Sequence, residues 1–354
     1  MSELQQDKWS ESIEQTEDKE EEQPDVSDYE IMNYPADTTL AGYKEQWDKD
    51  QLTVPEFQRK YVWDQVRASK LIESFLLGLP VPGIFLYKER QGTRYLVIDG
   101  NQRLHSIISY FKGKFDERRF ELKKVSKKWE GKAFEDLAEE DRFKLESAVM
   151  RATIIQQLNP DDKSSIYYIF ERLNTGGVNL NPMEVRMCIA EGTFTELLRE
   201  LNDLSDWRHL IQKDKPDNRL RDIELILRVF ALSDDSSVYE KPMKRFLNGY
   251  IRKKKKQGIA WIDEKRQSFT SAVHRARLLK NGDPFHLRGK LNYAALDSIL
   301  VALMASRMSD TDRLKSAYDS LLQNETYINA TSKDTSDKQE ILDRIRLAKK
   351  AFCL

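Results

Sequence analysis

The stretch VIDGNQRLHSII, residues 97 to 108, gathers an acid, a glycine, two amides and an arginine in Asp99, Gly100, Asn101, Gln102 and Arg103. They stand between a short apolar run and an apolar pattern of helical period. Asp99 and Gly100 read as the end of a strand, and Asn101 as the first residue of a helix. A helix start presents backbone N–H groups that have no partner within the helix, and it attracts anions. Gly100 permits close backbone approach, Arg103 supplies a forked cation suited to phosphate oxygens, and Asp99 can hold a metal ion or a water. The set describes a phosphate site. A plainer reading stands beside it, in which Asp99 caps the helix and Arg103 pairs with a surface acid.

Two further clusters carry recognisable chemistry. In PEFQRKYVWD, residues 55 to 64, the side chains of Gln58, Arg59, Tyr61 and Trp63 combine an amide, a guanidinium and two aromatic rings, which suit a phosphate and a stacked base or sugar. They also fit a core-facing aromatic set with a solvated arginine. The run Arg252, Lys253, Lys254, Lys255 and Lys256 suits the backbone of a nucleic acid, or a solvated helix end that complements the helix dipole. Other chemistries are poorly supplied. No GxxxxGK[ST] and no GxGxxG after a strand is present. The four histidines, His105, His209, His274 and His286, form no metal-ligand pair at helical spacing. The stretch from His274 to His286 lacks the strand-flanked pattern of a His-Asn-His nuclease. A metal held by Asp99, Glu171 and Glu184 is compatible with spacing, but no paired-carboxylate signature supports it.

The elements that must position these residues alternate in type up to about residue 190. Thr39 to Asp50 has helical spacing, and Leu52 to Phe57 reads as a short extended piece whose Pro55 suits an edge. Asp64 caps a helix with Val66, Leu71, Ile72, Phe75 and Leu76 on one face, stopped at Gly78. IFLYKE and RYLVID form a hairpin through Gln91-Gly92-Thr93. The helix from Asn101 to Phe111 follows, then a strand in RATIIQQL, a helix from about 161 to 173, the loop NTGG, and a helix from Pro182. Beyond 190 helical patterns dominate, at 219–232, 240–254, 261–280, 292–307, 310–323 and 337–351. The expected fold is α+β in residues 38–190, followed by an all-helical region in 191–354.

Charge is unevenly placed. Residues 1–30 hold 12 Asp and Glu against 2 Lys and Arg, whereas the whole chain of 354 residues carries only −1. The body behind that segment is therefore basic, which favours a polyanionic partner. The segment itself has too little apolar surface to offset the entropy of ordering and is expected to be disordered. Cys188 and Cys353 are the only cysteines, so neither a disulfide framework nor a thiolate zinc site is expected. The lack of a membrane-length apolar run and the acidic start lead to an expected cytoplasmic location without a membrane partner.

In fixed order, PEFQRKYVW, GLPVPGIFLY, VIDGNQRLHSI and FERLNTGGVNLNPMEVR resemble the N-terminal domain of GmrSD-type restriction enzymes, a ParB-like family marked by a DGQQR motif. RLRDIELILRVFAL and FLNGYIRKKK are typical of its longer members, and the resemblance spans roughly residues 38 to 255. It implies a fold similar to ParB and sulfiredoxin, with a nucleoside triphosphate and its magnesium bound at the turn and helix after a strand. Asp99 to Arg103 then form the nucleotide motif, and Asp99, Gln102 and Arg103 are the candidates for any hydrolysis. Arg172, Asn174, Thr175, Gly176 and Gly177, after Glu171, match the second signature and complete the pocket. Gln58, Arg59, Tyr61 and Trp63 match the segment that faces modified DNA in some members. The chain departs from the pattern at Asn101, where the usual glutamine is one methylene longer, and it lacks the His-Asn-His nuclease of many relatives. The implied function is NTP-dependent sensing of modified or phage DNA in bacterial defence. A separate nuclease, another defence protein or further copies of the chain are the compatible partners. The alternative is a non-catalytic DNA-binding or adaptor module.

Overall fold

In a computed structural model, the described residues are 30–54, 63–88, 93–159, 169, 181–190 and 192–353. They fall into two compact units divided between Leu180 and Asn181. The first is α+β and the second is helical, so the fold class read from the sequence holds. The helix at Pro182, expected to close the first region, packs inside the helical unit, where Met183 and Met187 enter the core.

The α+β unit is built on a five-stranded sheet in the order β1-β7-β3-β4-β2. Its strands are β1 (Glu30–Thr39), β2 (Leu52–Thr53), β3 (Ile84–Lys88), β4 (Tyr95–Asp99) and β7 (Val149–Asn159). The small hairpin strands β5 (Lys114–Phe115) and β6 (Arg118–Arg119) lie outside that sheet. β3 and β4 form the expected antiparallel pair, while β3 runs parallel to β7 and β2 parallel to β4. The turn at 91–93 lies largely outside the described residues.

β1 is a correction to the tail boundary at residue 30 and to the unassigned stretch behind it. Glu30 opens a ten-residue strand that pairs antiparallel with β7 along its whole length. Its Pro35 has no N–H to give, which an edge strand tolerates. The expected disorder of the tail concerns residues 1–29, which lie outside the described residues.

The helices of this unit are α1 (Leu40–Asp48), α2 (Gln65–Leu77), α3 (Asn101–Phe111) and α4 (Glu139–Ser147). Asp64 caps α2 by accepting the N–H of Arg67 at 2.7 Å, and Gly78 ends it in the left-handed region at φ 75°, as their positions in the sequence suggest. Leu71, Ile72, Phe75 and Leu76 of α2 join Leu104 and Ile107 of α3 and Leu86, Val97 and Ile154 of the sheet in one core. Burying that face stabilises the helices more than their intrinsic propensity does.

The helical unit contains α5 (Pro182–Ile189), α6 (Thr193–Asn202), α7 (Ser205–Leu210), α8 (Arg221–Asp235), α9 (Met243–Lys254), α10 (Ile259–Ala276), α11 (Tyr293–Ala305), α12 (Thr311–Leu322), α13 (Glu325–Ala330) and α14 (Lys338–Phe352). No long strand occurs among its described residues. α11 is largely apolar and buried from Ala294 to Leu303, with Leu296, Ile299, Leu300 and Leu303 in the core. Its one carboxylate, Asp297, receives Arg228 of α8 at 2.9 Å and Arg344 of α14 at 3.1 Å in the same core. A charge so deep is tolerated only when paired and hydrogen-bonded.

Candidate functional site

The DGNQR turn is set by three neighbouring elements of the α+β unit. β4 ends at Asp99 and α3 begins at Asn101, so the whole change of direction falls on Gly100, at φ 98° and ψ 10°. A side chain at Gly100 would meet Ile84 Cγ2 at 2.2 Å, so both the backbone conformation and the neighbour require glycine there. No side chain caps α3 at Gly100. The N-cap position falls to Gly100, and the bond seen for the Asp99 carboxylate is to Arg103.

Asp99 accepts from Arg103 Nη2 at 2.7 Å, and the same nitrogen donates to the carbonyl of Gly83 at 2.9 Å. The arginine thus ties the last residue of β4 to the residue before β3. Its side chain is 18% exposed and the Asp99 side chain 45%, so the acid is the more accessible partner. Among the described residues, buried Arg103 Nε has no hydrogen-bond partner. Asn101, nine-tenths buried, fills the first position of α3. Gln102 accepts the backbone N–H of Trp63 at 3.2 Å through Oε1.

That last bond joins the two motifs that the sequence places 39 residues apart. Trp63 is half-buried against the core of the unit, and the Arg67 guanidinium lies 4.7 Å from its ring centroid. Gln58, Arg59 and Tyr61 lie outside the described residues. The same holds for Glu171, Arg172, Asn174, Thr175, Gly176 and Gly177. His105, one turn into α3, is edge-on to Trp47 and 3.2 Å from Ser109 Oγ; burial holds its imidazole below the ordinary value. It is a packed residue.

Gly83 belongs to the segment GLPVPGIFLY, and residue type alone assigns it no role. A side chain there would meet the carbonyl of Arg151, on β7, at 2.7 Å. The glycine lets β3 approach β7 and leaves its own carbonyl to Arg103. The Pro-Gly step before an apolar run is the signal that points to it.

The basic run ends α9 in the helical unit, and the structure uses much of it internally. Lys254 lies 3.4 Å from Asp234 and 5.0 Å from the Trp261 ring centroid. Lys255 donates to the carbonyl of Ile189 at 3.0 Å. Arg252 is half-buried, and Lys253 and Lys256 are exposed. As a surface for a polyanion the run is reduced chiefly to those two lysines. Asp234 also accepts from Tyr250 at 2.8 Å; burial, reinforced by this carboxylate, pushes the phenol far above its ordinary value.

The carboxylate trio loses a member. Glu184 accepts the N–H of Asn181 at 2.7 Å in a reciprocal capping box at the start of α5, and Arg219 stands 3.4 Å away. Burial, as the largest effect, raises its carboxyl above the usual range. Among the described residues, no group of three or more His, Cys, Asp or Glu could hold a metal ion. Among those residues, no helix is long and apolar enough to cross a membrane.

Residues 40–190 match the family described as the GmrSD restriction endonuclease, N-terminal domain. This segment is similar to that family, as the order of its motifs implies. No curated protein matches the chain.

Proposed function

We propose that the chain binds a nucleoside triphosphate at the Asp99–Arg103 turn and couples that binding to sensing of modified or phage DNA in a restriction-like defence system. One observation carries the reading: within a segment of restriction-enzyme type, α3 begins at a glycine N-cap in the left-handed region, with Arg103 of its first turn held on Asp99 and Gly83. A helix start of this kind favours phosphate.

The donor set fits the ligand. Gly100 lets a phosphate oxygen approach the backbone, the first turn of α3 offers the positive end of its dipole, and Arg103 adds a guanidinium already fixed in place. Asp99, the accessible member of its ion pair, would hold the accompanying magnesium. Arg172, Asn174, Thr175, Gly176 and Gly177 complete the pocket in this reading, and Gln58, Arg59, Tyr61 and Trp63 face the DNA. Hydrolysis, where it occurs, falls to Asp99, Gln102 and Arg103.

A second reading, a ligand-switched adaptor that works with a separate nuclease, is favoured by a specific feature. Gln102 and Arg103 are both engaged within the fold, on Trp63, Gly83 and Asp99. Groups engaged in this way suit a binding switch more than turnover. Titration calorimetry with the four triphosphates, with and without magnesium, combined with phosphate release, separates the two. Binding with turnover is the expected result for an NTPase, and binding alone supports the switch. Absence of binding to all four overturns the nucleotide reading.

A further inference from the structure

We propose that the loop from Glu121 to Lys132 is a contact surface for the phosphate backbone of duplex DNA, with Lys123, Lys124 and Lys127 as the contacting residues. The identification of the polyanion as DNA rests on the function proposed above; the surface itself rests on the following geometry.

The loop KKVSKK carries four lysines at 123, 124, 127 and 128, all exposed. Lys128 pairs with Asp141 at 2.8 Å. The other three form no ion pair among the described residues. Acids are near, yet they are spent on the backbone. Glu130 accepts the N–H of Lys124 at 3.2 Å and of Val125 at 2.9 Å. Glu73, from α2, accepts both the N–H and the hydroxyl of Ser126 at 2.7 Å. The carboxylates thus fix the loop's shape while the ammonium groups stay in solvent.

The backbone is held firmly. Leu122 and Lys132 are joined by a 3.0 Å hydrogen bond, Gly131 donates to Leu122 at 2.8 Å, and the N–H of Lys123 reaches Ser69 Oγ at 3.0 Å. Trp129 is buried and donates to Asp141 at 2.9 Å. Lys124 sits at φ 56°, in the left-handed region where glycine is favoured. The turn thereby displays the Lys124 side chain from a backbone position that is already fixed.

The chemistry selects an extended polyanion. Lysine is a hydrated point charge that contacts phosphate without reading bases. The three cations stand exposed on one surface loop. The loop's only aromatic ring is buried, so it offers no stacking platform for a single strand. The remaining competitor is the chain's own acidic segment, residues 1–30.

The test uses the full chain carrying Lys123→Gln, Lys124→Gly and Lys127→Gln together. The glycine relieves the left-handed residue while removing its charge, so loss of binding is separable from loss of fold. Fluorescence anisotropy with a labelled duplex across salt concentrations should show at least tenfold weaker binding at low salt. The slope of log affinity against log salt should become shallower by about 0.9 for each phosphate no longer neutralised. Plain and modified duplexes should be affected equally, with melting temperature not lowered and triphosphate affinity unchanged. An unchanged slope overturns the proposal, as does failure of the unaltered chain to bind duplex at low salt. If the slope is unchanged and residues 1–30 become more sensitive to protease in the variant, the lysines serve the acidic segment instead. Absence of triphosphate binding would sink the nucleotide reading without touching the slope.

Discussion

The turn at 99–103 and the run at 252–256 are five-residue clusters of similar chemical promise, and the fold treats them oppositely. At the turn, the determining interactions are short-range or come from the adjoining strand: Gly100 against Ile84, and Arg103 on Asp99 and Gly83. These bonds shape a helix start whose N-cap is a glycine. In the run, cations are drawn into contacts supplied by other helices: Lys254 by Asp234 of α8 and Trp261 of α10, and Lys255 by Ile189 of α5. A site made by backbone geometry can be seen in a few consecutive letters. A site made of free charge cannot, because what neutralises it is written elsewhere.

The contrast can be broken most forcefully at Gly100. Gly100→Ala forces a Cβ into the left-handed region and onto Ile84, 2.2 Å away. The expected loss is about 3 to 5 kcal/mol of stability, from backbone strain and overpacking together. Urea denaturation measures it. A loss below about 1 kcal/mol would mean that the turn relaxes easily and is no better determined than a surface loop.

The next largest effect tests whether the run is neutralised from a distance. Asp234 gathers Lys254, Lys265 and the Tyr250 hydroxyl, and it is mostly buried. Asp234→Ala should cost about 2 to 3 kcal/mol, because it leaves cations and a hydroxyl partly buried without their acceptor. It should also release Lys254 and raise low-salt affinity for duplex DNA. Lost stability with no gain in DNA affinity would show that the run is structural even when unpaired.

The same dependence on near or distant partners decides what is legible in the sequence. Asp64 and Gly78 bound α2 as their types require, and the strand–glycine–helix order at 95–111 is readable because each step depends on adjacent residues. β1 is not readable. EIMNYPADTT contains a proline and charged residues, and its identity as a strand comes from pairing with β7 more than a hundred positions away. α6, α7 and α13 escape sequence reading for a related reason: they are short, and tertiary packing of Phe194, Trp207 and Tyr327 completes them. Glu184 is the exception: its capping partner Asn181 is only three residues earlier, in a local pattern that the sequence displays and that the metal reading passed over.

A smaller effect is expected at Asn101. Restoring the longer amide with Asn101→Gln places an extra methylene in a position nine-tenths buried. It should cost about 1 to 2 kcal/mol of stability. If the shorter side chain alone limits hydrolysis, phosphate release should nevertheless rise. Unchanged turnover, with triphosphate binding intact, favours the switch over the NTPase.

The smallest effect is expected from Lys253 and Lys256, the two exposed lysines of the run. Lys253 lies 3.7 Å from Asp235, with its own side chain 67% exposed, so the pair is weak and screened by salt. Replacing both lysines by glutamine should change stability by less than about 0.5 kcal/mol, the usual range for surface positions. If either touches DNA, the salt slope should fall by at most about 0.9 per residue, equally for every duplex sequence. The Lys123, Lys124 and Lys127 variant should exceed this change, because those cations lack ion pairs among the described residues and stand on a loop already fixed by Glu73 and Glu130. Equal slopes for the two variants would show that pairing inside the fold does not govern which lysines meet the phosphates. A larger fall from the 253 and 256 pair would reverse the ranking and make the end of α9 the principal contact.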